Sequence, residues 1–184
     1  DLLLVDAACE IDNYASDITR TIPINGKYSE SQKDIYNIVL VAQQKAIDKC
    51  IPGNTLVDVH NEAVKWITKG LIKLNLIKAN FKDAILNGMY KQFFMHGTGH
   101  WLGMDVHDPC RYRDGMKPIK FSPGMIFTVE PGIYIRPAKG IPAKYHNIGI
   151  RIEDDVLITN KGSDVLTRAT PKTIREVETA MAAK

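Results

Sequence analysis

Three of the five histidines, His96, His100 and His107, fall within twelve residues that read His-Gly-Thr-Gly-His-Trp-Leu-Gly-Met-Asp-Val-His. Imidazole changes charge near neutral pH and is the commonest nitrogen ligand of metal ions, so a glycine-spaced cluster among aromatic residues argues for a site more than a lone histidine would. Carboxylates flank this cluster at a distance in sequence. Asp6 and Asp17 lie on either side of Glu10-Ile11-Asp12-Asn13, and a two-residue turn centred on Ile11-Asp12 or on Asp12-Asn13 puts both side chains on one face of a hairpin. Cross-strand neighbours stand about 5 Å apart and like charges there repel. The hairpin alone admits two arrangements: both carboxylates turned to screening solvent, or a positive group between them. Thr128-Val129-Glu130-Pro131-Gly132 closes an apolar strand on Glu130, which reads either as a turn residue or as a further acid of the cluster. In Asn147-Ile148-Gly149-Ile150-Arg151-Ile152-Glu153-Asp154-Asp155 the isoleucines take one face while Gly149, Arg151 and Glu153 take the other. That pattern fits an edge strand with a surface ion pair, and equally one wall of a charged site.

The elements that must hold these residues are legible from periodicity. Residues 2–5 and 17–22 read as the two strands of the hairpin, with Asp12-Asn13 tolerant of positive φ at its turn. Ser29-Glu30-Ser31-Gln32 has capping-box spacing, and Ile35, Val39, Ala42 and Ala46 follow at helical intervals toward the Pro52-Gly53 stop. Thr55 with Asp58 opens a second helix striped by Val59, Ala63, Trp66, Ile67 and Leu71, and a short helical piece covers 81–86. Strands are expected at 125–129, 133–135, 148–152 and 156–158. Thr170-Pro171 reads as a cap with proline at the first helical position, opening a last helix through Met181. Helices framed by antiparallel-type strands make an α+β domain.

Composition bounds the rest. A chain of 184 residues that is 45% hydrophobic and 24% charged suits one globular domain or part of one. The formal net charge of +3 is spread along the chain without a basic cluster, which gives nucleic-acid binding no support. No stretch reaches the roughly 20 apolar residues of a membrane-spanning helix. Cys9, Cys50 and Cys110 are odd in number and widely spaced, as suits reduced thiols of a cytoplasmic protein. The sequence opens on a strand-like apolar run without an initiator methionine, as a fragment or processed piece would.

The order Asp, Asp, His, Glu, Glu, carried by Val5-Asp6-Ala7, Ser16-Asp17-Ile18-Thr19-Arg20-Thr21, the Phe94 to Asp108 stretch, Thr128 to Gly132 and Gly149 to Asp154, resembles the aminopeptidase P, prolidase and methionine aminopeptidase group. The likeness covers nearly all of the chain. It implies the pita-bread fold and places residues 1–184 as a catalytic domain lacking its N-terminal segment and a separate N-terminal domain. It implies that Asp6, Asp17, His100, Glu130 and Glu153 hold two divalent metal ions. Asp17 and Glu153 would bridge them, His100 and Glu130 would serve one ion, and Asp6 the other. Four carboxylates and one imidazole form a mostly oxygen shell that suits Mn2+ and balances two divalent charges. The implied activity is removal of an N-terminal residue that precedes proline, by attack of a metal-activated water on the scissile carbonyl. In that scheme His107 supports the developing oxyanion, Glu130 carries a proton to the leaving nitrogen, His96 lines the proline pocket and Arg151 orients the carboxylates. Trp101 is either a wall of the site or a core residue. The partners implied are peptides with proline at the second position and, for the full-length protein, further copies of itself. Two other readings are a prolidase acting on Xaa-Pro dipeptides and an inactive fragment or binding module on the same fold.

Overall fold

Asp12 and Asn13 both take positive φ, 52° and 66°, the pair of left-handed conformations that a type I′ hairpin turn requires. The computed structural model describes residues 1–182; Ala183 and Lys184, the end of the expected domain, lie outside the described residues. The turn selects one of the two possible registers. Strands β1 (Leu2–Ala7) and β2 (Glu10–Ile11) run into it, and β3 (Tyr14–Ala15) and β4 (Ile18–Pro23) run out. Asp6 therefore faces Thr19, and Asp17 sits one pleat along the same face.

Both long helices begin where their capping boxes put them. In α1 (Glu30–Ile47) the Gln32 N–H donates to Ser29 Oγ while the Ser29 N–H donates to Gln32 Oε1; in α2 (Leu56–Lys73) Thr55 and Asp58 exchange the same pair of bonds. Each satisfies two N–H groups that the helix itself cannot pair. Helix α3 (Phe81–Leu86) is capped by Asn80. A small hairpin of β5 (Arg113–Asp114) and β6 (Lys117–Pro118) follows. Then come β7 (Ile126–Val129), β8 (Gly132–Ile135), β9 (Ile148–Arg151), β10 (Asp154–Thr159), β11 (Gly162–Val165) and α4 (Ile174–Ala182). Strand β10 lies between β7 and β11, and β8 pairs with β9, all antiparallel.

Helix α1 packs on α2 and on β7, β8 and β9. Ile148, Ile150 and Ile152 are buried as the alternation requires, each gaining about 1.5–3 kcal/mol from leaving water. The hairpin docks across the β9–β10 junction: the Glu153 N–H donates to Thr19 O (3.1 Å), and Thr21 exchanges hydrogen bonds with the Arg151 main chain. Two expectations change. Strand β11 and the β5–β6 hairpin are additions, being short and without strong apolar alternation. The last helix starts at Ile174 and not after Thr170, because Arg20 donates to the carbonyls of Thr170 (3.3 Å) and Pro171 (2.9 Å) and keeps that segment out of the helix. Thr173 and Glu176 form the reciprocal cap instead.

Candidate metal centre

Residues 98–101 run extended beside β7. The Glu130 N–H donates to Thr98 O (2.8 Å), the Thr128 N–H to His100 O (3.0 Å) and the His100 N–H to Thr128 Oγ1 (3.1 Å). Gly99 is required there: a Cβ at this position would lie 1.9 Å from Thr128 O, so only glycine permits the close approach. His100 Nδ1 is 3.0 Å from Trp101 O. A carbonyl only accepts, so Nδ1 carries the proton and Nε2 presents its lone pair. That Nε2 lies 3.4 Å from Asp17 Oδ2 and 3.8 Å from Glu130 Oε1. Asp17, His100 and Glu153 each offer a ligand atom within 4.8 Å of the others. Asp154 faces Val129 and Asp155 faces Thr128; the same register carried one residue further sets Glu153 beside Glu130.

Asp6 is exposed at the rim and is tied to the cluster through Arg151, whose Nη2 pairs with Asp6 Oδ2. Arg151 Nε donates to Thr19 Oγ1 (3.1 Å), and Thr19 Oγ1 donates to Glu153 Oε2 (2.6 Å), so the guanidinium steadies Glu153 through Thr19. Arg151 Nη1 also donates to the Tyr134 hydroxyl (3.2 Å), which in turn donates to His96 Nε2 (2.9 Å); His96 Nδ1 donates to Gly97 O (2.7 Å). His96 Nδ1 is 3.9 Å from Glu130 Oε2. The His107 ring is exposed and meets His100 edge-on with centroids 4.3 Å apart. Asp17, His100 and Glu153 form the central group; Glu130, His96, His107 and Arg151 border it, and Asp6 stays at the exposed rim. Trp101 belongs to the core, packed on Phe121 and Phe127 with its indole N–H donated to Arg111 O (3.1 Å).

Sequence reasoning assigned no role to Thr19, Tyr134 or Asp155. Thr19 stands two residues after Asp17, on its face, and that spacing was the available signal. Asp155, 2% exposed, accepts the Asp17 N–H on Oδ2 at 3.1 Å.

The cluster fits divalent cations by its chemistry. Burial, then Arg151 opposing it, then Asp17 and Asp6 leave the Glu130 carboxyl raised to about 7. Burial likewise lifts Glu153 to about 8, with Thr19 opposing and Glu130, Asp17 and Asp6 adding to it. Asp17 is raised by burial and by Asp6. Like-charged, desolvated carboxylates beside a lone-pair imidazole are a donor set that a cation would stabilise.

A pH dependence follows. Above pH 6.5 unfolded glutamates, with ordinary values of 4.5, are already ionised. The folded metal-free chain then holds protons on Glu130 and Glu153 that the unfolded chain has released. The stability contributed by these two groups is greatest at low pH and is lost as pH rises through about 7 and about 8. Thermal melting without metal should therefore fall between pH 6.5 and 8, and excess Mn2+ should flatten or reverse the slope. A metal-free melting temperature that climbs over this window would contradict the assigned protonation.

A model of metallopeptidase family M24 matches residues 1–160. The chain is 46% identical over 181 residues to a Haemophilus influenzae Xaa-Pro aminopeptidase, covering 98% of this chain and 42% of that protein. It is 44% identical over 183 residues to the Escherichia coli Xaa-Pro aminopeptidase, covering 100% of this chain and 41% of that protein. Among solved structures, the Pseudomonas aeruginosa aminopeptidase PepP superposes with a TM-score of 0.97 at 50% identity, over 100% of this chain and 42% of its own. Zinc-substituted Escherichia coli aminopeptidase P in complex with product gives 0.95 at 44% identity, over 100% of this chain and 41% of its own. The chain thus spans about two-fifths of the length of these relatives and shares their pita-bread fold.

Proposed function

Because the chain belongs to metallopeptidase family M24, we propose that it carries the hydrolytic centre of an Xaa-Pro aminopeptidase and that Asp6, Asp17, His100, Glu130 and Glu153 hold two divalent ions, Mn2+ suiting the oxygen-rich shell best. The observation that carries this reading is the meeting of Asp17, His100 and Glu153 within 4.8 Å from three separate segments of the chain. When bound, such ions supply Lewis acidity to a scissile carbonyl and lower the pKa of a water. The chain's residues do the rest. Glu130, beside His100, carries a proton toward the leaving nitrogen. His107, exposed against His100, donates to the oxyanion that develops on the carbonyl. His96, fixed at both nitrogens by Gly97 and Tyr134, offers a wall to the proline ring. Arg151 keeps Asp6 and, through Thr19, Glu153 in place.

The test compares peptides. Supplied with Mn2+, the chain is expected to release the first residue of an Xaa-Pro-Yaa peptide and to spare the Xaa-Ala-Yaa counterpart. Cleavage confined to Xaa-Pro dipeptides would replace this reading with a prolidase; cleavage of neither, with metal bound, would overturn it. His107→Ala should lower turnover by about 10²-fold, the scale of losing one oxyanion donor, with metal content unchanged by elemental analysis. Loss of metal in that variant would show that His107 had been given the wrong role.

A further inference from the structure

Asp154 and Asp155 are adjacent, equally buried acids with opposite circumstances. Asp154 has both oxygens paired, Oδ1 to Arg20 and Thr167 and Oδ2 to Gln43 and Lys172. Asp155 is 2% exposed and accepts only the Asp17 N–H on Oδ2; its Oδ1 is the one buried side-chain nitrogen or oxygen among the described residues without a hydrogen-bond partner. A half-paired buried carboxyl weakens a fold, so a structural role does not account for Asp155. Its register does. Asp155 lies opposite Thr128, so the two side chains share a face of the sheet, and Thr128 Oγ1 accepts the His100 N–H (3.1 Å) as Asp155 Oδ2 accepts the Asp17 N–H (3.1 Å). One cross-strand pair thereby grips the main chain of two residues whose side chains converge on Glu153.

We propose that Asp155 is a positioning residue of the metal centre, fixing the main chain of Asp17 so that its carboxylate faces His100 and Glu153. The inference rests on the metal-binding reading given above. It separates binding from folding: Asp155 costs the metal-free fold stability and organises the loaded site.

The experiment titrates Mn2+ into this chain and its Asp155→Ala and Asp155→Asn variants by calorimetry, and follows hydrogen exchange at the Asp17 amide. Asp155→Ala should bind Mn2+ about 10–100-fold more weakly, the usual scale for a group that orients a ligand. Its Asp17 amide should exchange faster, and its metal-free melting temperature should be no lower than that of the unaltered chain. Asp155→Asn keeps a carbonyl oxygen for the Asp17 N–H and should recover most of the affinity and the protection. Unchanged Mn2+ affinity in Asp155→Ala, or a lower metal-free melting temperature with affinity intact, would overturn the proposal. If Asp155→Ala does not fold, Asp155→Asn decides: wild-type affinity with a protected Asp17 amide supports the proposal, and weak binding with that amide still protected overturns it. Failure of the unaltered chain to bind Mn2+ is a different result, since it removes the metal-binding reading itself.

Discussion

If the proposed function holds, Glu153→Gln is expected to strip both proposed ions from the chain and to lower turnover on Xaa-Pro peptides by on the order of 10³-fold, the scale of losing electrostatic stabilisation at a reacting carbonyl. The substitution conserves shape and changes charge. Thr19 Oγ1, now 2.6 Å from Glu153 Oε2, can still donate to the amide oxygen, but the amide nitrogen then turns donor protons toward the proposed cation site. Four carboxylates against two divalent ions sum to neutrality; three leave an uncompensated positive charge in a desolvated cavity. The same change should leave the metal-free protein no less stable, and more stable near pH 8, because the carboxyl it removes is one that burial pushes up to about 8. The two readouts move in opposite directions. Elemental analysis should find less than one ion per chain, and melting should lose its response to Mn2+ while the metal-free curve holds or rises. Two ions retained in Glu153→Gln would remove Glu153 from the ligand set. Asp17→Asn should behave alike, since Asp17 shares the central position with Glu153 and His100.

Local chemistry made much of this arrangement readable before any coordinates. Ser29 with Gln32 and Thr55 with Asp58 announced both long helices, because their partners lie three residues apart. The isoleucine alternation separated the core face of β9 from the face that bears Arg151, while Glu153 follows just beyond the strand. The register of the first hairpin was open between two turns, and only the φ values of Asp12 and Asn13 choose between them. Thr170-Pro171 was the expected start of the last helix; Arg20, some 150 positions away, binds the Thr170 and Pro171 carbonyls, and the helix starts after Thr173, capped with Glu176. Asp155 was hidden for a related reason. The strand pattern that carries Arg151 and Glu153 extends to Asp155 by alternation, yet an Asp-Asp pair at its end reads equally as a turn, and its bond to the Asp17 amide spans 138 positions. Single-sequence reasoning sees spacing within an element and not which elements meet.

Behind the site, Asp154→Ala is expected to produce the largest loss of stability of any single change to the polar interior, about 3–5 kcal/mol, because it leaves the buried Arg20 and the half-buried Lys172 without their counter-charge. Asp154 is fully buried, with Arg20 Nη2 at 2.8 Å and Lys172 Nζ at 2.6 Å. Burial raises its carboxyl, but Arg20 and Lys172 more than offset this and hold it below the ordinary carboxylate value of 3.8. A depressed folded value places the contribution above that pH and removes it only in stronger acid, so the deficit of Asp154→Ala should be constant from pH 5 to 8, unlike the slope set by Glu130 and Glu153. With 2–4 °C lost per kcal/mol in a chain of this size, melting should fall by on the order of 10 °C. Surface changes stay within about ±0.5 kcal/mol, and a drop that small would refute the role given to Asp154. The consequence reaches the site through Arg20, whose Nη1 donates to the carbonyls of Thr19 (3.0 Å) and Glu153 (2.5 Å). Below its lowered melting temperature the variant should still bind Mn2+ and be stabilised by it, since each of the five proposed ligand side chains remains. That outcome separates the acid that secures the scaffold from the acids that hold the ions.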